Sequence, residues 1–493
     1  MSLISSIATI ATAGAGGSET FWASSVRVRS TVTNGEAPSG FTFHAEHEST
    51  GTIMQFMHSN SLASSESNKE AFIIARDPVD GSIIAQKETS QNGASHSFNM
   101  FGTPFYNPDM DQVYVSVSNW YDPTSGQSRQ GYLGVNEDAT NGLTLAFADS
   151  DSSNGNGDFF VCYSGNELRT YQYNPNTQSF PNPAGVRRKT NNASARSIWT
   201  ERGSNDVYIS SYYSGGNRLA KTTVGLTSLP NFAAVRELPT NSTSNIVNDF
   251  SNYEQCTDSS YLYLWCFNSA PNPDQMELYQ VTKSNLATYN ALKWIPNTAS
   301  FSVQHRDYGS ICCVDGYVYF SSPIIYRGTG EGYNSVMYAI YQINPSTLQP
   351  VAARGIRCDG GAREYIDGQP GMITHNAEET CLYLSFSHAH INSRGADSHK
   401  LLKLPLDLSS LPAQTISGGS THGNIQIWDF LSTSTGATLP VESELFSGLS
   451  TSSGSTYSRT HDYESIDTTS AGTEANRTSV TSSLLSDLDT ITV

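Results

Sequence analysis

Tyr317-Val318-Tyr319-Phe320 alternates aromatic and aliphatic side chains, as a half-buried β-strand does. After a polar, glycine-rich stretch at residues 327–332, a second β-forming run follows, Val336-Met337-Tyr338-Ala339-Ile340-Tyr341-Gln342-Ile343. Then come Asn344-Pro345-Ser346-Thr347, where the Asn side chain can bond to the backbone and Pro presets φ for a turn. With a third apolar run at residues 348–352, the stretch predicts a unit of strand, connection, strand, tight turn and strand.

The same unit recurs along the chain, at a spacing of roughly 45 to 65 residues, near the period of propeller blades. The turn returns most clearly as Asp77-Pro78-Val79-Asp80-Gly81. Short segments upstream of several copies predict an additional inner strand; they lie at residues 41–46, 195–200, 302–310 and 372–375. The seven copies of the first strand lie at residues 53–57, 113–117, 159–163, 207–212, 261–267, 317–320 and 382–386.

Four antiparallel strands, repeated seven times without helical periodicity, predict an all-β fold: a seven-bladed β-propeller of four-stranded antiparallel blades. One such sheet alone exposes two edges and an apolar face, whereas a closed ring buries the faces and leaves only short edges. A β-sandwich or a parallel β-helix is the alternative, although a β-helix repeat is shorter and more regular. Residues 26–29 or 425–430 are candidates for the strand that completes the first or last blade.

Composition narrows the classes of function. Of 493 residues only 15% are charged, and the formal net charge is −18, so the polar surface is built mainly from uncharged side chains. This balance argues against a surface that binds nucleic acid, which needs Lys and Arg to neutralise phosphates. No run is long and apolar enough to predict a transmembrane helix. Seven blades account for most of the length as one domain.

The cysteines and the N-terminus indicate the cellular compartment in which the protein is made. Seven scattered cysteines form no framework pattern, which predicts reduced thiols made in a cytosol. Three of them, Cys162, Cys266 and Cys381, fall in or beside predicted strands, and we expect them to pack in the core. The first seventeen residues resemble a secretory signal but lack its positive n-region. We therefore expect synthesis in the cytoplasm without secretion by a signal peptide.

The two ends differ in composition from the repeats and divide the chain into three predicted parts. Residues 1–20 form a small, apolar N-terminal attachment arm, residues 21–432 the propeller, and residues 433–493 a Ser/Thr-rich extended C-terminal arm. Such arms cannot bury enough surface to order themselves, so we expect other molecules to order them. The alternative is that the tail packs on its own propeller. The proposed assembly contacts of the arms are Ile4, Ile7, Ile10, Leu445, Phe446, Leu484 and Leu485.

The leader Ser5-Ser6-Ile7-Ala8-Thr9-Ile10-Ala11-Thr12-Ala13-Gly14-Ala15-Gly16-Gly17, the Asn/Ser/Thr/Gly-rich repeats and the low-complexity tail together resemble a virion protein of tailed bacteriophages. Proteins of this kind include tail, fibre and nozzle components. The resemblance implies a structural, non-enzymatic role in the virion, with other virion proteins as partners in a symmetric, multi-copy assembly. It also leaves open a tail protein that binds a receptor or a host surface glycan.

Candidate chemistry is sparse, and we expect no cofactor. His388 and His390 would share one face of a strand and could bind a metal with His375 or His399 as a third ligand, as a glycan-degrading propeller enzyme would require. A polar segment following a strand is the simpler interpretation. The weak alternatives for metal binding are a Ca²⁺ loop that begins at Asp149 and Asp151 and a cluster in His44-Ala45-Glu46-His47-Glu48. For ligand contact we single out three tyrosines in predicted loops, Tyr121, Tyr326 and Tyr333.

Overall fold

The fold was analysed in a computed structural model of the chain. For some strand residues it describes the backbone alone. The described residues are 3–9, 20–29, 41–60, 68–89, 96–97, 99–100, 104–107, 111–122, 127–138, 142–150, 161–164, 167–170, 193–200, 206–213, 216–223, 234–238, 244–245, 255–268, 275–284, 286, 288–294, 301–303, 310–326, 335–359, 364–365, 371–390, 396–417, 424–429, 450–455 and 488–489.

Strands are the regular elements described in the first half of the chain. They are β1 (Leu3–Thr9), β2 (Trp22–Arg29), β3 (Phe41–His47), β4 (Thr52–Asn60), β5 (Asn68–Arg76), β6 (Ile83–Thr89), β7 (His96–Ser97), β8 (Asn99–Met100), β9 (Phe105–Asn107), β10 (Gln112–Asp122), β11 (Gln127–Asp138), β12 (Gly142–Ser150), β13 (Val161–Ser164), β14 (Glu167–Thr170), β15 (Ala193–Thr200), β16 (Asp206–Tyr213), β17 (Gly216–Thr223), β18 (Ala234–Leu238) and β19 (Ser244–Asn245).

The second half continues in the same way, and the described residues add one short 3₁₀ helix at Leu408–Ser410. The strands are β20 (Gln255–Thr257), β21 (Tyr261–Asn268), β22 (Gln275–Thr282), β23 (Thr288–Trp294), β24 (Phe301–Val303), β25 (Ser310–Val314), β26 (Tyr317–Tyr326), β27 (Ser335–Asn344), β28 (Gln349–Asp359), β29 (Glu364–Tyr365), β30 (Met372–His375), β31 (Cys381–His390), β32 (Ala396–Pro405), β33 (Gln414–Ile416), β34 (Asn424–Asp429), β35 (Ser450–Ser455) and β36 (Leu488–Asp489).

The described strands form seven sheets, which we number in chain order. Pairing is antiparallel throughout, apart from the short β7 beside β5, so the all-β, antiparallel prediction is confirmed. Six of the seven predicted first strands lie within described strands, as do residues 161–163 of the third, and each strand has a hairpin neighbour. Sheet 1 is β3-β4-β5-β6-β36 with β7; sheet 2 is β8-β10-β11-β12 with β9; sheet 3 is β13-β14; sheet 4 is β15-β16-β17-β18; sheet 5 is β19-β21-β22-β23-β35 with β20; sheet 6 is β24-β26-β27-β28-β34-β33 with β25; sheet 7 is β29-β31-β32-β2-β1 with β30.

Sheet 7 joins the beginning of the chain to its last repeat. Strand β2 pairs with β32, with Val26 opposite His399, so the prediction that residues 26–29 complete a sheet is confirmed. The other predicted closing segment forms β34, which extends sheet 6 beside β28. Inner strands of neighbouring sheets also contact one another in order: β30 with β3 and β25, β25 with β20, β20 with β15, β15 with β13, and β3 with β9.

The described parts of both arms lie on the chain's own sheets. Strand β1 pairs with β2, β35 with β23 and β36 with β6. These segments therefore follow the alternative in which the ends pack on their own propeller. Ile4 and Ile7 fall within β1, whereas Ile10, Leu445, Phe446, Leu484 and Leu485 lie outside the described residues. Docking of the arms onto other subunits, like the three-part division of the chain, stays a prediction.

The prediction that the cysteines are reduced is wrong for one pair. Cys256 of β20 and Cys313 of β25 form a disulfide, with their Cα atoms 5.8 Å apart, that joins the inner strands of sheets 5 and 6. Sequence spacing could not reveal this pair, because 57 residues separate the two positions and only the contact of the two sheets brings them together. Cys312 and Cys381 are free and buried, which confirms the core-packing prediction for Cys381.

Candidate functional site

A buried Tyr with a Lys or Gln directly opposite it recurs in four sheets. The tyrosine lies on the second strand of the sheet and its partner on the third strand, in the same cross-strand register each time. All eight side chains are at most 8% exposed. The pairs are Tyr208 with Lys221 in sheet 4, Tyr263 with Gln280 in sheet 5, Tyr319 with Gln342 in sheet 6, and Tyr383 with Lys403 in sheet 7.

At least one member of each pair donates to a backbone carbonyl of the next sheet: from sheets 4, 5 and 7 to the turn between its third and fourth strands, and from sheet 6 to the segment that follows β32. Since a turn carbonyl that leaves water needs a hydrogen-bond donor, these contacts satisfy the turn and align the two sheets. From sheet 4, Tyr208 Oη and Lys221 Nζ donate to Lys283 O at 3.4 and 3.0 Å; from sheet 5, Gln280 Nε2 donates to Pro345 O at 2.7 Å; from sheet 6, Tyr319 Oη donates to Leu406 O at 2.8 Å; and from sheet 7, Lys403 Nζ donates to Pro78 O at 3.1 Å.

The last of these contacts joins the final repeat to the first. Trp22 Nε1 also donates to Pro78 O, at 3.2 Å, so the turn of sheet 1 is held by two donors of sheet 7. Gly81 closes that turn at φ +78, and a Cβ there would lie 2.7 Å from the Trp22 ring. Only glycine fits this approach, because an L side chain both strains the backbone and meets the indole.

This repeated pair was not predicted, although the sequence carries a signal for it. The second strands read Val113-Tyr114-Val115, Val207-Tyr208-Ile209, Leu262-Tyr263-Leu264, Val318-Tyr319-Phe320 and Leu382-Tyr383-Leu384. A tyrosine at one position between apolar neighbours indicates a side chain whose ring is buried and whose hydroxyl finds a partner. The partner could not be identified from sequence, since it lies on another sheet.

Sheet 7 meets sheet 1 through a set of polar side chains and, beside them, an apolar cluster of Val26, Met57 and Ile74; we call the polar part of this contact the closing interface. His44 of β3 lies between two hydroxyls, with Nδ1 2.8 Å from Ser385 Oγ and Nε2 2.7 Å from Thr374 Oγ1. Burial lowers the pKa of His44 to about 3, so the imidazole is neutral at pH 7. The interface comprises Thr42, His44, Glu46, Gln55 and Arg76 of sheet 1 with Trp22, Ser24, Thr374, Ser385, His399 and Lys403 of sheet 7.

His399 is a second histidine that is buried, hydrogen-bonded and neutral. His399 Nδ1 shares a 2.6 Å hydrogen bond with Thr42 Oγ1, and burial, reinforced by Lys400, lowers the pKa of His399 to about 3. Its Nε2 has no partner. Both histidines therefore act as neutral hydrogen-bonding groups that connect the two sheets, and neither is placed as a base that reaches solvent.

Glu46 lies at the edge of the closing interface. Burial raises the pKa of Glu46 to about 7, with Glu48 and Glu378 adding to the increase and the Ala377 N–H opposing it. That backbone N–H donates to Glu46 Oε2 at 2.5 Å, across the gap between sheets 7 and 1. This carboxyl group is therefore the one described here that changes charge near neutral pH.

His47 points the other way along the same strand. Its Nε2 donates to Asp111 O at 2.9 Å, and Tyr106 Oη and Ser49 Oγ donate to Asp111 Oδ1 at 2.6 Å each. These hydrogen bonds lower the pKa of Asp111. Because side chains alternate along a strand, the predicted His44–Glu48 cluster is divided between two interfaces and does not converge on a metal.

The predicted histidine site cannot include His375. His388 and His390 both lie in β31, in a strand as predicted and not in a polar segment following one. His375 pairs with Leu382, six residues from His388 along β31, which is about 20 Å of extended strand. His399 is engaged by Thr42. Within the described ranges, no group of three or more His, Cys, Asp or Glu side chains could hold a metal ion.

The remaining site predictions fall partly outside the described residues. Tyr121 and Tyr326 were assigned to loops, and this is wrong, since they lie in β10 and β26. Asp149 lies in β12, so at least the start of the supposed Ca²⁺ loop is strand. Asp151 and Tyr333 are not among the described residues. Of the helical residues described, none forms a segment long and apolar enough to cross a membrane.

Comparison with known proteins adds little to this geometry. No protein-family model and no curated protein match the chain. A mutant of NanB sialidase from Streptococcus pneumoniae matches with 11% identity and a TM-score of 0.29, over 82% of this chain and 66% of the sialidase chain. An exo-β-1,3-galactanase from Phanerochaete chrysosporium matches with 11% identity and a TM-score of 0.27, over 82% of this chain and all of the galactanase. At such scores the likeness carries no argument for fold or function.

Proposed function

We propose that the seven sheets close into one seven-bladed β-propeller that serves as a rigid, non-enzymatic interaction platform. The observation that carries this proposal is the repeated Tyr–Lys/Gln pair, whose hydrogen bonds join sheet 4 to 5, 5 to 6, 6 to 7 and 7 to 1. In an open row of sheets, sheets 7 and 1 would lie at opposite ends and could not make the last of these contacts. Pairing of β2 with β32 supports the same closure.

A cross-link tests the closure directly. Arg27 and Ser398 lie opposite each other in β2 and β32, so an Arg27→Cys/Ser398→Cys variant should form a disulfide that shifts the mobility of the denatured chain. The matched control, Arg27→Cys/Ser387→Cys, places the second thiol on β31, one strand further away. Equal cross-linking in both variants, or none in the first, would contradict the closed ring.

The assembly in which the platform acts is proposed from the resemblance of the leader and the tail to phage virion proteins. The chain would be a tail, tail-tip or fibre-associated component, made in the host cytoplasm and built into the virion with other virion proteins. Strand β1 is the outer strand of sheet 7 among the described strands, which gives the leader a free strand edge for a neighbour.

An antibody against the purified chain should label phage particles at a fixed position. Deletion of residues 1–17 removes β1 but leaves β2 paired with β32, so the truncated chain should still fold, as circular dichroism would show, and should fail to enter particles. Labelling of no particle, or full incorporation of the truncated chain, would count against the virion role while leaving the closed ring untouched. Binding of the purified chain to host polysaccharide would favour the glycan-binding alternative.

A further inference from the structure

Polar side chains without partners concentrate in one layer of the closing interface. The hydrogen bond from His44 to Ser385 fixes which rows of the two sheets face each other. In sheet 1, the row runs from His44 to Gln55 and Ile74, each opposite the next. In sheet 7, the facing row runs from Ser385 through Leu401 to Ser24. Gln55 Nε2 and Ser24 Oγ, one in each row, are buried and make no hydrogen bond.

Arg76 adds a positive charge to this layer. Its side chain is 0% exposed, Nε donates to Gln55 Oε1 at 2.9 Å and Nη1 donates to Gly81 O at 2.8 Å. Nη2 is buried and has no partner. Since the guanidinium and the Gln55 amide are already in contact, the two unpaired N–H₂ groups, Nη2 and Nε2, belong to adjacent groups.

The two neutral acceptors of Arg76 offset only part of the cost of burying its guanidinium. Taking such a charge out of water costs several kcal/mol even after relaxation, and proteins normally offset it with an opposite charge. Among the described residues, no carboxylate lies within ion-pair distance of Arg76, whose two partners are an amide and a peptide carbonyl. Burial lowers the pKa of Arg76 only to about 9, so the side chain keeps its proton at pH 7.

Arg354 of sheet 6 shows how the same chain buries a guanidinium completely satisfied. Its Nε, Nη1 and Nη2 donate to Leu411 O, Ala353 O and Ser409 O at 2.6, 2.8 and 3.1 Å. Each of its three nitrogens reaches an acceptor of the protein. Arg76 differs because its Nη2 has no acceptor and lies beside a second unpaired donor, Gln55 Nε2.

We propose that the closing interface binds a small inorganic anion of the size of chloride, which accepts hydrogen bonds from Arg76 Nη2 and Gln55 Nε2. The Ser24 hydroxyl, in the facing row, is the third donor available to it. An anion would supply a hydrogen-bond acceptor for the unpaired donors and a negative charge that compensates the guanidinium. A water molecule would supply only the acceptor. The bound anion would join sheet 7 to sheet 1 from the inside.

Thermal unfolding of the full chain tests this in potassium chloride against potassium gluconate at equal ionic strength. Because a ligand of the folded state stabilises it by mass action, the unfolding midpoint should be higher in chloride and should rise with the logarithm of its concentration. Arg76→Met should abolish this dependence and, in gluconate, unfold no earlier than the wild type. Equal midpoints of the wild type in both salts would overturn the proposal and assign the layer to water.

Two controls keep the result specific. Arg354→Met should lower the midpoint yet retain the full chloride dependence, and a loss of that dependence in this variant would overturn the assignment to Arg76. Gln55→Leu, which keeps the guanidinium, should need a several-fold higher chloride concentration for the same shift. Crystals soaked in bromide should show an anomalous peak within about 3.5 Å of Arg76 Nη2; peaks confined to the molecular surface would refute the site.

Discussion

Strand β31 borders two interfaces of opposite character. Leu382, Leu384 and Phe386 face sheet 6, where Phe386 packs on Tyr338 with ring centroids 4.5 Å apart. Tyr383 and Ser385 face sheet 1 and its histidine. The comparison teaches that burial on both faces does not require apolar residues on both, provided that the facing sheet supplies hydrogen-bond partners. The period of two along the strand keeps the two environments apart.

The largest difference should appear on truncating an aromatic ring between sheets 6 and 7. Tyr319→Ala removes a fully buried ring and should lower the free energy of unfolding by about 3–5 kcal/mol, measured by denaturant titration. Tyr319→Phe, which loses only the hydrogen bond to Leu406 O, should lower it by about 1 kcal/mol. If the two variants are equally destabilised, burial of the ring does not stabilise this interface.

The disulfide offers a third interface, between sheets 5 and 6, for the same comparison. Cys313→Ser opens a covalent loop that spans 57 residues and should lower the free energy of unfolding by about 4 kcal/mol in the chain-entropy picture. Reductant should bring the wild type to the same value and leave the variant unchanged. A wild type that unfolds at the same denaturant concentration with and without reductant would show that the two cysteines are not joined.

The closing interface should depend more on hydrogen bonds. Lys403→Met keeps the length of the side chain but removes a charged donor to Pro78 O, and should lower the free energy of unfolding by about 1.5–3 kcal/mol. Gln342→Leu, at the corresponding position of sheet 6, removes only a neutral contact to the Leu408 N–H and should cost about 1 kcal/mol. The reverse order of the two variants would contradict the view that sheets 7 and 1 are held by polar contacts.

The smallest effects should be those of pH, with two signs in one interface. Glu46 has a raised pKa when folded, so its contribution is full below about 4.5 and is lost as pH rises through about 7. His44 and His399 have lowered values, so their contribution is full above about 6.5 and is lost as pH falls through about 3. Glu46→Gln should flatten the unfolding midpoint between pH 5 and 8, as followed by circular dichroism, and should leave the acid limb unchanged.

Much of the strand pattern could be predicted because it depends on local sequence. The alternation around Tyr317–Tyr326 and the Asn344 turn fix a hairpin through contacts a few residues apart, and the turn forms as expected, with Leu348 N donating to Asn344 O at 2.8 Å. Even the strand that pairs with β32 was one of two candidates that the sequence offered, and the structure selects residues 26–29. Such features need no knowledge of which sheet lies next to which.

The contacts between sheets could not be predicted, since their partners are separated by hundreds of residues. Thr42 and His399 meet across 357 positions, and no pattern in either segment names the other. The choice of His375 as a third ligand failed for the same reason: it grouped residues by chemistry, whereas strand length places His375 far from His388. The cysteine prediction was wrong because neighbouring inner strands, and not spacing, bring Cys256 to Cys313.

Strand β2, which enters sheet 7 from the opposite end of the polypeptide, has a consequence for synthesis. While the ribosome makes the intervening repeats, β2 can pair only with β1, and its other hydrogen-bonding edge stays open until residues 396–405 emerge. Folding can therefore be completed only after the final hairpin is made. A prematurely terminated chain would keep an unpaired strand edge, which favours aggregation. A circularly permuted gene that starts at sheet 1 and appends residues 20–29 after sheet 7 would remove that wait.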